Sequence, residues 1–282
     1  MNIKAVLKLT RIEHSIMLVV AVLAAELVAK GIPGPETLAL SLITPIFISM
    51  ASFAVNDYFD LEVDRVNRRK RPLVSGELRP SDAIYITTAC MAIGLAASAL
   101  INWQAFAIAV VFGVLAILYS YRLKEIALAG NSYVAFSMAI PFIFGSYAVS
   151  GNIGYGIALI SAMIFLSGLA REIHGTIRDM EGDSAARKIK SIPRIVGTGA
   201  SAALALVLYA AAIAISVYMF LKVAPFRMNL IYAVPIAIAD AMLAYTGIEF
   251  VLRPERKVYD LSRNLSLIAM GLALLAILLA PI

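Results

Sequence analysis

An all-α membrane fold with nine crossings is the architecture this sequence predicts, on three observations. The 282 residues are 61% hydrophobic and only 15% charged, a balance that a soluble domain of this size does not carry. The apolar residues gather into runs long enough to cross a bilayer core, about 20 residues each. The basic residues gather between alternate runs, which is the charge asymmetry of an odd number of crossings.

The runs fall at 14–30, 38–56, 83–101, 103–121, 131–150, 153–170, 199–221, 229–251 and 264–281. The first follows Lys4, Lys8 and Arg11 and so imitates a signal peptide. No small-residue cleavage site precedes Lys30, and it reads as a span. Arg11, Glu13 and His14 at its start are expected to be interfacial anchors. The second run ends in a polar stretch that Pro72 and Gly76 terminate, and Pro80-Ser81-Asp82 opens the third. Only Asn102 separates the third and fourth runs, and Gly151 marks a similar tight hairpin between the fifth and sixth. Pro141 is expected to kink the fifth. The sixth run delivers a second polar stretch, closed by Pro193 and Gly197 before the seventh. The last three runs carry little chemistry, with Asp240 and Glu249 as their acids.

With nine spans, 21 of the 24 Lys and Arg lie on the side of the N-terminus, which predicts that the N-terminus and polar stretches are cytoplasmic and the C-terminus outside. The net charge of +6 is accounted for by these loops, held against anionic membrane lipids, and does not call for nucleic acid. Cys90, the one cysteine, lies inside a span and excludes a disulfide framework or a thiolate metal site.

The chemistry lies in the two polar stretches, at about 56–82 and 171–198. At about 100° per residue on a helix, Asn56, Asp57, Asp60 and Asp64 fall within an arc of about 100°. Carboxylates so concentrated repel unless a cation lies between them, and hard oxygen donors suit Mg²⁺. In the second stretch Glu172, Thr176, Asp179 and Asp183 share one face, while Glu181 points away. His174 also faces away from Asp179, which suggests a structural role. The stretches follow the second and sixth spans, so they share a membrane side, as expected of two four-helix pseudo-repeats plus one helix around a central cavity. Two facing acidic walls hold a polyanion only through divalent ions, and diphosphate completes a Mg²⁺ shell well. In a membrane the other end of such a substrate is an apolar chain, which together describes a prenyl diphosphate.

The run Asn56-Asp57-x-x-Asp60-x-x-x-Asp64, with Asn67-Arg68, Arg71-Pro72-Leu73 and Gly76, resembles the first motif of the UbiA superfamily of intramembrane prenyltransferases. Asp179 to Asp183, upstream of Lys190 and Pro193, resembles the second, and the likeness covers nearly the whole chain, 1–282, as a single UbiA-type unit. Arg171-Glu172-Ile173 and Asp179-Met180-Glu181-Gly182-Asp183 are most similar to the archaeal digeranylgeranylglyceryl phosphate synthases within it. That group shows Lys and Asp where this chain has Gly175 and Thr176, and Gly in the region of Arg187.

The resemblance implies Mg²⁺-assisted ionisation of an allylic diphosphate, with the prenyl group, geranylgeranyl, captured by a lipid acceptor such as geranylgeranylglyceryl phosphate. The aromatic prenyltransferases of quinone synthesis are the alternative. By the same resemblance Asn56, Asp60, Asp64 and, less centrally, Asp57 bind one Mg²⁺, and Asp179 and Asp183 a second. Arg68, Arg71, Lys124 and Lys190 then contact diphosphate, and Tyr119 lines the reacting centre. A cation transporter is the competing reading from another class, since intramembrane acids also mark ion paths.

Overall fold

A computed structural model describes residues 2–29, 31, 33–180, 191–253 and 255–282. Among these, the helices are α1 (Ile3–Thr10), α2 (Ile12–Ala29), α3 (Pro35–Phe59), α4 (Leu61–Val66), α5 (Pro80–Ile101) and α6 (Trp103–Tyr121). After a one-turn 3₁₀ helix (Leu123–Glu125) come α7 (Ala129–Ser150), α8 (Tyr155–Asp179), α9 (Ile192–Val196), α10 (Thr198–Lys222), α11 (Leu230–Leu252) and α12 (Arg256–Leu279). Nine of the described helices, all except α1, α4 and α9 and the 3₁₀ turn, are long and apolar enough to cross a membrane, in agreement with the nine apolar runs.

Three boundaries differ from the sequence reading. A separate helix, α1, precedes the first span; Asn2 caps it, and it ends where Arg11 takes a left-handed conformation at φ 46°. Helix α8 runs to Asp179, so residues 171–179 continue a span instead of opening a loop. Helix α12 starts at Arg256, two turns earlier than its apolar run, so its first turns are polar. Each extension carries charge at one end of the bundle, where a hydropathy average falls although the backbone stays helical.

The chain packs as two similar four-helix units followed by α12. In the first, α2 packs on α3, α3 on α5 and α5 on α6; in the second, α7 packs on α8, α8 on α10 and α10 on α11. The polar stretches extend the second helix of each unit, α3 and α8. The units meet where α2 packs on α7, and α12 closes against α11, α2 and α8.

Small residues make these contacts, as expected where apolar lipid gives helices little reason to associate except close packing. Ala21, Ala24 and Ala25 on α2 and Ala135 and Ala139 on α7 are all buried. At Gly145 of α7, a Cβ would lie 2.7 Å from the carbonyl oxygen of Val22. Asn102 forms the whole turn between α5 and α6: its side-chain oxygen accepts from the Ala105 N–H at 2.7 Å, and its amide donates to the Tyr147 carbonyl of α7 at 2.9 Å. Asp240, an unexplained acid in the sequence, accepts a hydrogen bond from Ser216 and so joins α11 to α10.

Candidate active site

The first acidic wall begins at the end of α3. Backbone bonding continues across the bend at Asp60, since the Asp60 N–H donates to the Asn56 carbonyl at 2.9 Å and the Asp64 N–H to the Asp60 carbonyl at 2.8 Å. The spacing that puts the acids on one side therefore persists into α4. Their partners nevertheless separate them. Asp57 is 2% exposed and accepts from Arg11 at 2.7 Å and from Arg71. Arg71 also reaches Asp64 at 3.1 Å. Asp60 accepts from Lys124 at 2.7 Å and from the Asn56 amide at 3.1 Å.

The cations required by so much negative charge are thus present as Arg11, Arg71 and Lys124. Burial pulls the Arg11 pKa below its ordinary value, with Asp57 opposing the shift. Burial raises that of Asp64, with Arg71 opposing. Arg11, expected as an interfacial anchor, instead joins the site, with its guanidinium 4.8 Å from the centroid of the Phe53 ring. Its distance of 46 residues from Asp57 left no local signal in the sequence.

The second wall is built on the last turns of α8. Arg171 donates to Glu172 at 2.9 Å, and Arg178 grips both oxygens of Asp179 at 2.7 and 2.9 Å. Thr176 donates to the Glu172 carbonyl at 2.8 Å and accepts from Asn131 of α7 at 3.1 Å. His174 turns away as expected, stacked on Phe250 at 3.7 Å. Asp183 and Lys190 lie outside the described residues. Arg68 is exposed at a left-handed turn, φ 50°.

Two cavities open between these walls. The larger, about 690 Å³, is apolar and runs among α2, α3, α6, α7 and α12, with Asn56, Arg171, Glu172 and Arg263 among its lining. Tyr119 lines it and stacks on Tyr133 at 4.4 Å, which stacks in turn on Phe112 at 5.7 Å. The smaller, about 340 Å³, is polar and lies against Lys124, Asn131, the end of α8 and the start of α12. Arg171, Glu172 and Arg263 line both. The α12 residues went unnoticed in the sequence because they read as the entry to a span.

Among the described residues no three His, Cys, Asp or Glu side chains converge as a metal cage. The donor set still fits Mg²⁺, which takes one or two carboxylates and fills its shell with water and phosphate oxygens. Asn56 and Asp60 are already joined by a hydrogen bond, and Asp60 already faces a cation, the Lys124 ammonium.

Residues 17–268 match the profile of the UbiA prenyltransferase family. The digeranylgeranylglyceryl phosphate synthase of Archaeoglobus fulgidus is 40% identical over 274 residues, covering 96% of this chain and 93% of that protein. A solved structure described as digeranylgeranylglyceryl phosphate synthase in membranes superposes with a TM-score of 0.83 at 26% identity, covering 99% of this chain and 98% of that one. A UbiA homolog from Archaeoglobus fulgidus bound to DMAPP and Mg²⁺ shares the fold, with a TM-score of 0.70 at 18% identity over 95% of this chain and 98% of that one.

Proposed function

The chain belongs to the UbiA prenyltransferase family, and from that premise we propose that it transfers a geranylgeranyl group from its diphosphate to the free hydroxyl of geranylgeranylglyceryl phosphate, a step of ether-lipid synthesis. One observation supports the donor: a large apolar cavity carries Asn56, Glu172, Arg11, Arg171 and Arg263 in its lining, and Asn56 is hydrogen-bonded to Asp60. A long apolar chain with a polyanionic end is the ligand that satisfies both the cavity and these polar groups. Family membership sets aside the transporter reading.

In this mechanism Asn56, Asp60 and Asp64 would hold one Mg²⁺, and Asp179, with Asp183, would hold a second. Metal held there would supply the Lewis-acid charge that a departing diphosphate requires. Arg71 and Lys124 flank the first set and contact the diphosphate, with Arg68 and Lys190, the latter outside the described residues, as further contacts. Asp57, held between two guanidiniums, serves by fixing Arg11 and Arg71 and not as a metal ligand. Tyr119, Tyr133 and Phe112 line the apolar cavity as one stack, and this aromatic wall would surround the allylic cation as the carbon–oxygen bond lengthens. The carbon–oxygen bond breaks with its electron pair leaving on diphosphate, the acceptor hydroxyl oxygen forms the new bond to that carbon, and the hydroxyl proton passes to the released diphosphate or to water. The whole chain acts as one unit, with the N-terminus and both walls on the cytoplasmic side and the C-terminus outside, as the basic residues argue.

The test is a single-turnover assay in detergent with labelled geranylgeranyl diphosphate and Mg²⁺, offering geranylgeranylglyceryl phosphate and 4-hydroxybenzoate in parallel. Product is expected from the glycerol lipid alone, and chelation of the metal is expected to abolish it. Product from the aromatic acid alone would replace this acceptor with that of quinone synthesis.

A further inference from the structure

The polar cavity has a chemistry of its own. Its lining carries four cations, Lys124, Arg171, Arg178 and Arg263, against two acids, Glu172 and Asp179. On α8, Arg171, Gly175 and Arg178 recur at helical spacing and face it; on α12, Ser262, Arg263 and Ser266 do the same. At the centre of the α8 face Gly175 leaves open space, since a Cβ there would meet nothing within 4 Å. The Arg171 Nε is buried without a hydrogen-bond partner among the described residues, although another nitrogen of the same guanidinium holds Glu172. Guanidinium groups and hydroxyls converging from two helices form a multidentate anion site, and a planar fork with five donors suits phosphate oxygens.

Two anionic groups must be kept apart if this protein joins a prenyl diphosphate to a phosphorylated acceptor. The donor's diphosphate is assigned to the wall of α3 and α4 and, through the second metal set, to Asp179, which lines the polar cavity at the end of α8. Lys124, paired to Asp60, marks the side of the polar cavity that adjoins the first wall. The α12 side, with Arg263, is the side to which no donor contact has been assigned. Arg263, Arg171 and Glu172 stand where the polar and apolar cavities join, so a molecule with its head in one and its chain in the other passes them.

We infer that the polar cavity between α8 and α12 seats the phosphate monoester of the acceptor, with Arg263 and Arg171 as its principal contacts. The inference rests on the functional reading above and adds where the acceptor's charge is held. A volume of about 340 Å³ falls at the lower end of ligand pockets, of a size for a headgroup and not for a prenyl chain.

Steady-state kinetics on the full chain in detergent test it, with donor and acceptor varied separately. Arg263 is exposed, and neither Arg263→Gln nor Arg263→Lys disturbs the core. Losing one charge-assisted contact, Arg263→Gln is expected to raise the KM for geranylgeranylglyceryl phosphate about tenfold and leave the donor KM within about twofold, while Arg263→Lys recovers part of the loss. The wild type is expected to favour the phosphorylated acceptor over geranylgeranylglycerol, and Arg263→Gln to narrow that preference. Gly175→Leu, which fills the open space on a helix that tolerates Leu, is expected to raise the acceptor KM without changing thermal unfolding. An equal rise in donor KM would give the cavity to the diphosphate, and unchanged preference in both variants would leave it without an anion; either result overturns the inference alone. If the wild type transfers to neither glycerol lipid, the functional reading falls and the inference with it.

Discussion

The two acidic walls occupy corresponding helices of two similar units, yet their charges are partnered in opposite ways. On the first, Asp57 is bound by Arg11 and Arg71 and Asp60 by Lys124, partners 46, 14 and 64 residues distant. On the second, Glu172 and Asp179 pair with the residues immediately before them, Arg171 and Arg178. A pair between distant residues ties separate elements together: here α1 and α2, the segment after α4, and the connection between α6 and α7. A pair between sequence neighbours ties nothing. Among the described residues, the first wall is therefore part of the scaffold, and the second is a charged surface resting on a scaffold made elsewhere.

The largest expected effect on stability is at Asp57. Asp57→Ala leaves Arg11 without its anion and Arg71 with Asp64 alone, expected to cost about 3 kcal/mol and to lower the unfolding temperature in detergent markedly. A similar shift in Asp179→Ala would erase the distinction between the walls. Activity divides differently, because both walls contribute metal ligands in the proposed mechanism. Asp60→Ala and Asp179→Ala are each expected to slow transfer at least about 100-fold. Only Asp60→Ala should also destabilise, since it strands Lys124, whose side chain is 10% exposed. Wild-type turnover of either variant in Mg²⁺ would break the proposal that both walls hold metal.

Arg71→Ala sharpens the contrast at intermediate size. It should raise the donor KM about tenfold while sparing the acceptor KM, and it should lower thermal stability because Arg71 bridges Asp57 and Asp64. An unchanged donor KM would confine Arg71 to the scaffold. The smallest effect is expected for Arg178→Gln. Its pair with Asp179 is local and half exposed, and thermal unfolding should register less than about 1 kcal/mol.

What was legible beforehand follows the same division. Long apolar runs and the asymmetry of Lys and Arg are local or summed signals, and they led to nine crossings with both walls at one end. The helical spacing of Asn56, Asp57, Asp60 and Asp64 was legible for the same reason. Which of those acids turns inward was not, because periodicity assigns a face without saying what covers it. Asp57 is covered by Arg11, at a left-handed turn between α1 and α2 that no glycine or proline announces. The polar cavity was hidden similarly: Ser262, Arg263 and Ser266 become a site only when α12 is laid against α8.

Gly145 carries a consequence for the shape of the apolar cavity. It lies in α7 against the Val22 carbonyl of α2, and both helices help enclose the apolar cavity. The approach of these two helices is therefore set by the absence of a side chain at one residue behind the cavity lining. A methyl group at this position would press on Val22 and Ala25 and wedge the two staves apart, so a residue outside the lining helps hold the walls of the chamber in place.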